Sequence, residues 1–84
     1  MNYSIKILKS AQKELSRINK KDQQTIITEI QKLADNPRPV NCKKLTGREA
    51  WRIRTGNYRI IYEINDTILT ILVVTIGHRK DVYR

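Results

Sequence analysis

The chain is poor in the residues that most often carry chemistry. Its one cysteine, Cys42, has no partner for an internal disulfide, so no oxidised framework holds the fold together. Cys42 sits among Asn41, Lys43 and Lys44 with no base beside it, which reads as an ordinary exposed thiol rather than a nucleophile. The single histidine, His78, cannot build a metal cluster. Three glycines, well apart, exclude a glycine-rich phosphate loop, and no paired acidic site or activated serine is visible. No apolar run is long enough to span a bilayer, because the longest, Ile68–Ile76, is interrupted by Thr70 and Thr75. Met1 to Leu8 is short, alternating and charged, unlike a secretory leader, so a cytoplasmic protein without membrane contact is expected. No cofactor is expected either.

Negative charge is also scarce. Eight Asp and Glu face seventeen Lys and Arg, giving +9 and a pI near 10.1. Residues 1–41 hold eight basic and four acidic side chains and residues 42–84 nine and four, so the excess belongs to the folded body and not to a tail. Such an imbalance opposes compaction and attracts polyanions, chiefly nucleic acid or an acidic protein. With 84 residues there is room for a single domain, 1–84, with one modest core.

Hydrophobic spacing sets the expected elements. Tyr3, Ile5 and Ile7 alternate with polar residues as in a half-buried strand. Ala11, Leu15 and Ile18 then recur at helical spacing, Asn19-Lys20-Lys21 breaks the pattern, and Asp22 offers an N-cap. Ile26, Ile27, Ile30, Leu33 and Ala34 form a second helical stripe, ended by Asp35-Asn36-Pro37. Residues 35–49 read as a crossing loop. Three strands follow as a meander: Trp51–Arg54, Tyr58–Ile64 and Ile68–Ile76, with turns at Thr55-Gly56-Asn57 and Asn65-Asp66. The run Ile71–Val74 marks the last strand as central. The expected fold is α+β, in the order β-α-α-β-β-β, with a two-helix hairpin on one face of a small, mostly antiparallel four-stranded sheet.

Side-chain alternation then separates two surfaces. Trp51, Ile53, Tyr58, Ile60, Tyr62 and Ile64 belong under the helices, whereas Arg52, Arg54, Arg59, Ile61 and Glu63 belong on the open side. A solvated charged face is one reading of these arginines. The other is a phosphate site, since three guanidiniums repel one another and a phosphate held by forked donors removes the repulsion. His78 lies just after the last strand, beside Arg79 and Lys80. Tyr83 either packs on the core or serves a ligand. Trp51 reads as core, and the Lys20-Lys21 and Lys43-Lys44 pairs as solvated side chains able to touch a phosphate backbone. Arginines, one histidine and tyrosines suit cleavage of an RNA phosphodiester, where the substrate supplies its own nucleophile, the 2′-hydroxyl.

The blocks WRIRTGNYRIIY at residues 51–62 and GHRKDVY at residues 77–83 resemble the RelE side of the RelE/ParE toxin superfamily of bacterial toxin–antitoxin modules. Weaker agreement comes from the element order and from Lys44-Leu45 with Gly47. The resemblance implies the RelE-like fold and a small metal-independent endoribonuclease, an mRNA interferase that enters the ribosomal 30S A site, cuts mRNA there and is neutralised by a cognate antitoxin. It implies catalytic roles for Arg54, Arg59, Arg79 and Tyr83. Arg59 stabilises charge on the scissile phosphate, Arg79 protonates the leaving oxygen, and Tyr83 stacks on the RNA. Arg52, Lys44, His78 and Lys80 would contact the RNA. One departure is that familiar RelE proteins carry lysines where this chain has Arg52 and Arg54. A guanidinium is not deprotonated, so Arg54 makes a poor general base. Arginine at these positions also occurs in the ParE branch, whose members inhibit DNA gyrase without nuclease activity.

Overall fold

The structure, a computed structural model, describes residues 2–78. Its elements are β1 (Ser4–Ile7), α1 (Lys9–Ser16), α2 (Lys20–Lys32), β2 (Lys43–Lys44), β3 (Trp51–Thr55), β4 (Tyr58–Asn65) and β5 (Thr70–His78). The sheet order is β1-β5-β4-β3-β2, with β1 parallel to β5 and every other pairing antiparallel. This is the α+β arrangement expected, with one strand more than the four anticipated. The extra strand, β2, is two residues long, too short to show a period in sequence. It forms because the crossing loop returns along the free edge of β3, where Gly47, at φ 75°, turns the chain and the Leu45 amide donates to the Ala50 carbonyl at 2.9 Å.

The second helix starts earlier than its apolar stripe suggests. Asn19, not Asp22, is the N-cap: its side chain accepts from the Asp22 amide at 2.9 Å while its own amide donates to the Asp22 carboxylate at 2.9 Å. The Asn19 side chain thus both accepts from and donates to Asp22, its donor being the side-chain NH2 and not the backbone N–H of a capping box, and Asp22 adds a negative charge to the first turn. The break read at Asn19 is therefore the helix start itself.

Both helices cover one face of the sheet. Ala11, Ile26, Ile30 and Leu33 pack with Ile53, Ile60, Tyr62, Ile71, Val73 and Ile76 in one buried cluster. The Tyr62 hydroxyl donates to the Pro37 carbonyl at 2.7 Å, so this fully buried phenol is satisfied and ties the crossing loop to the core. Burial pushes its pKa well above the ordinary tyrosine value. Cys42 is half-buried against the same cluster, not on the surface, because the loop that carries it is held down by these contacts. Arg38 further anchors the loop by pairing with Asp66 at 2.9 Å and lying 5.2 Å from the centre of the Trp51 ring.

The β4–β5 register contains an irregularity. Ile61 faces Thr75 but Tyr62 faces Val73, so Val74 is an extra residue on β5. This bulge explains the run Ile71–Val74. Ile71 and Val73 point into the core, and Ile76, three residues past Val73, points there as well. Strict alternation would have put Ile76 on the other side. The strand runs from Thr70 to His78, starting and ending two residues later than the expected Ile68–Ile76, and its late start follows from the Asn65 side chain, which accepts from the Thr67 and Ile68 amides and lengthens the turn.

Candidate nucleic-acid interface

The site lies on the sheet face that carries neither helix. Within β3, Arg52 and Arg54 alternate with Ile53, whose burial in the core forces both arginines to the opposite side. Within β4, Arg59 is fixed the same way by Ile60. The β3–β4 hairpin turns through Gly56, at φ 58°, and Asn57, a two-residue connection with glycine at the first position. That tight turn sets the register. Arg54 stands directly across from Arg59, and Arg52 stands across from Ile61. The three arginines named from alternation are thus brought onto one surface.

The face is less open than expected. Arg59 is 5% exposed, Ile61 4% and Arg52 9%, while Arg54 and Glu63 are exposed. Ile61 is buried yet stands outside the helix-side cluster. Two buried guanidiniums around a buried isoleucine form a cationic centre away from bulk water, where charge interacts more strongly than on a solvated surface. On β5 the residue opposite Arg59 is Gly77, which puts no side chain against the arginine. Opposed arginines repel, and the one carboxylate of β3 and β4 on this face, Glu63, lies four residues along from Arg59.

Two residues expected to contact RNA lie elsewhere. His78 is the last residue of β5, not a residue after it, and pairs across from Tyr58. Its ring meets the Tyr58 ring edge-on at 5.8 Å. The Val74 bulge reverses the parity of the strand end, so His78 shares the side of Tyr58 and Ile76, opposite to Arg59. There it borders a cleft of about 180 Å³ lined also by Asp22, Thr25 and the hairpin turn. Burial, with Asp22 nearby, raises the Tyr58 pKa. Lys44 pairs across from Trp51 and forms a salt bridge with Glu49 at 3.2 Å, which puts it on the helix side. Its neighbour Lys43 pairs across from Arg52 and is exposed. The sequence offered the Lys43-Lys44 pair and pointed to Lys44, because a two-residue strand has no alternation to tell its two members apart. Arg79, Lys80 and Tyr83 lie outside the described residues. Among the described residues no group of three His, Cys, Asp or Glu could hold a metal ion, and no helix is long and apolar enough to cross a membrane.

Comparison with known proteins bears on the whole chain. The family profile described as the ParE toxin of the type II toxin–antitoxin system parDE matches residues 5–83. A RelE-like toxin protein of Escherichia coli is 32% identical over 99% of this chain and 92% of its own length. The chain belongs to the RelE/ParE superfamily of type II toxins. Among solved structures, the archaeal RelE–RelB complex from Pyrococcus horikoshii superimposes with a TM-score of 0.85 at 27% identity, covering 98% of this chain and all of that one. A YoeB/ParE toxin from Agrobacterium tumefaciens gives 0.76 at 16% identity, over 89% and 96% of the two chains.

Within the superfamily, then, this toxin's fold is common to relatives named for RelE and for ParE. Fold does not separate the two kinds of activity.

Proposed function

We propose that this toxin is a ribosome-dependent mRNA endoribonuclease of the RelE kind, acting in the 30S A site and held in check by a cognate antitoxin. The observation that carries the reading is the opposed pair Arg54 and Arg59, with Arg52 beside it, on the helix-free face. Fixed strand positions supply forked donors at short spacing, as a phosphodiester requires. The relative named RelE-like along nearly its full length adds to it, as do RelE structures bound to RelB antitoxin.

The chemistry follows from the donors present. The arginines bend the RNA so that the 2′-oxygen lines up with the leaving 5′-oxygen, a gain from orientation. The 2′-oxygen attacks phosphorus and its proton passes to solvent. Arg59, with Arg54, stabilises the added charge of the pentacovalent transition state. The bond to the 5′-oxygen breaks and that oxygen takes up a proton from solvent, with the Arg79 guanidinium placed beside it in the RelE-like assignment. The products are a 2′,3′-cyclic phosphate and a 5′-hydroxyl. Tyr83 stacks on the RNA and Lys80 contacts its backbone. His78 is not assigned a part, since it lies across the sheet from Arg59. No side chain of β3 or β4 on this face is a strong base, so the rate depends on the mRNA being held in shape by the ribosome.

Two observations favour a second reading, inhibition of DNA gyrase: the ParE profile match and the guanidiniums at Arg52 and Arg54. Brief induction followed by mapping of mRNA 5′ ends decides between them. Cuts at fixed positions within codons, appearing only on translated messages, are expected. Intact messages together with loss of supercoiling activity in a gyrase assay would replace the nuclease reading with the second one.

A further inference from the structure

The arginine face has a regularity that its individual residues do not reveal. Two adjacent rungs of the sheet each set an exposed cation beside a buried guanidinium. In one rung exposed Arg54 stands across from Arg59, which is 5% exposed. In the other, exposed Lys43 on β2 stands across from Arg52, which is 9% exposed. Along β3 the rungs are two residues apart, about 6.8 Å at the usual rise of a strand. That is comparable to the separation of neighbouring phosphates in an extended single strand.

We propose that Lys43 and Arg52 form a second phosphate subsite, which holds the phosphate next to the one gripped by Arg54 and Arg59. The inference rests on the reading of this face as an RNA site and deepens it. In each rung the buried arginine is a donor preset by its strand position, and the exposed side chain closes over the phosphate from the edge. Lys43 comes from the outermost strand, so it marks where the RNA track leaves the sheet. Lys44 provides a built-in comparison, since it carries the same charge one residue away but lies across from Trp51 and pairs with Glu49.

The test measures binding of the full chain to a 2′-O-methylated single-stranded RNA oligonucleotide, which lacks the nucleophile and stays intact. Affinity is measured across a salt series for the parent protein and for Lys43→Ala, Lys43→Arg and Lys44→Ala. One lost phosphate contact lowers the slope of log affinity against log salt by about 0.7 for a single strand. Lys43→Ala is expected to show that loss, and Lys43→Arg and Lys44→Ala to keep the parent slope. An unchanged slope in Lys43→Ala, or an equal loss in Lys44→Ala, overturns the subsite, the latter because it reports only general charge. A parent protein with no salt-dependent RNA binding overturns the subsite, while codon-positioned cuts in cells decide the nuclease reading by themselves. Loss of slope in Lys43→Ala, with no codon-positioned cuts in cells, keeps the subsite and removes the nuclease.

Discussion

The two faces of the sheet are made by the same strands and obey opposite rules. On β4, Ile60 and Tyr62 are buried under the helices while Arg59 and Ile61, one residue away from each, are buried on the side that carries no helix. The helix side is held by apolar area and by one satisfied phenol, and its energy comes from packing. On the other side like charges are brought onto one surface, and the packing of the first face fixes which way the arginines point. A one-residue slip of β4 would expose the core and hide the site at once. Site and core are two consequences of a single register.

The sharpest way to break that relation is from the core side. Ile60→Ala removes a fully buried side chain beside Arg59 and should cost about 2–5 kcal/mol, read as a lowered melting temperature in thermal denaturation. Because the register depends on this contact, RNA binding should fall with it. Wild-type stability in this variant would mean that the helices do not set the register.

From the site side, Arg59→Ala should reduce cleavage about 10²–10³-fold and abolish growth arrest. Arg59→Met, which keeps an unbranched apolar stem in the buried position, should be equally inactive and still fold, as judged by circular dichroism. Full toxicity in Arg59→Met would remove Arg59 from the site.

A smaller effect tests the crossing loop. Tyr62→Phe leaves the Pro37 carbonyl without its donor and should destabilise by about 1 kcal/mol, seen as a shifted denaturant midpoint with cleavage retained. The smallest expected effect is acid sensitivity at the Arg38–Asp66 contact. Hydrogen bonds from Arg38, then from Tyr3 at 2.6 Å, hold the Asp66 carboxyl below its ordinary value. A depressed carboxylate stabilises the fold above its unfolded pKa and loses that contribution as pH falls through its folded one. Trp51 fluorescence, sensitive to the Arg38 stacked on the ring, should therefore change only at strongly acidic pH, and Asp66→Asn should remove that change.

Much of this was legible from spacing. The alternation of Ile53 with Arg52 and Arg54, and of Ile60 with Arg59, placed the arginines correctly because the period of two is local and needs no partner strand. The helical stripes around Ile26 and Ile30 were equally plain, and both residues are buried. Legibility failed where the answer depends on a neighbour. The start of α2 turned on a reciprocal bond between Asn19 and Asp22 that no hydrophobic period reveals. The crowding that buries Arg52 and Arg59 is likewise a property of the assembled face.

Sequence sufficed to assign the first strand, the two helices and the three-strand meander in order, the apolar sides of β3 and β4 and the gathering of Arg52, Arg54 and Arg59, since each is written in the spacing of nearby residues. Which lysine of β2 joins them, and on which side His78 emerges, was settled by strand pairing: Lys43 by its register with Arg52, His78 by the extra residue at Val74. Alternation is read along one strand, but the pairing that anchors it, and any bulge that reverses it, belongs to two strands at once.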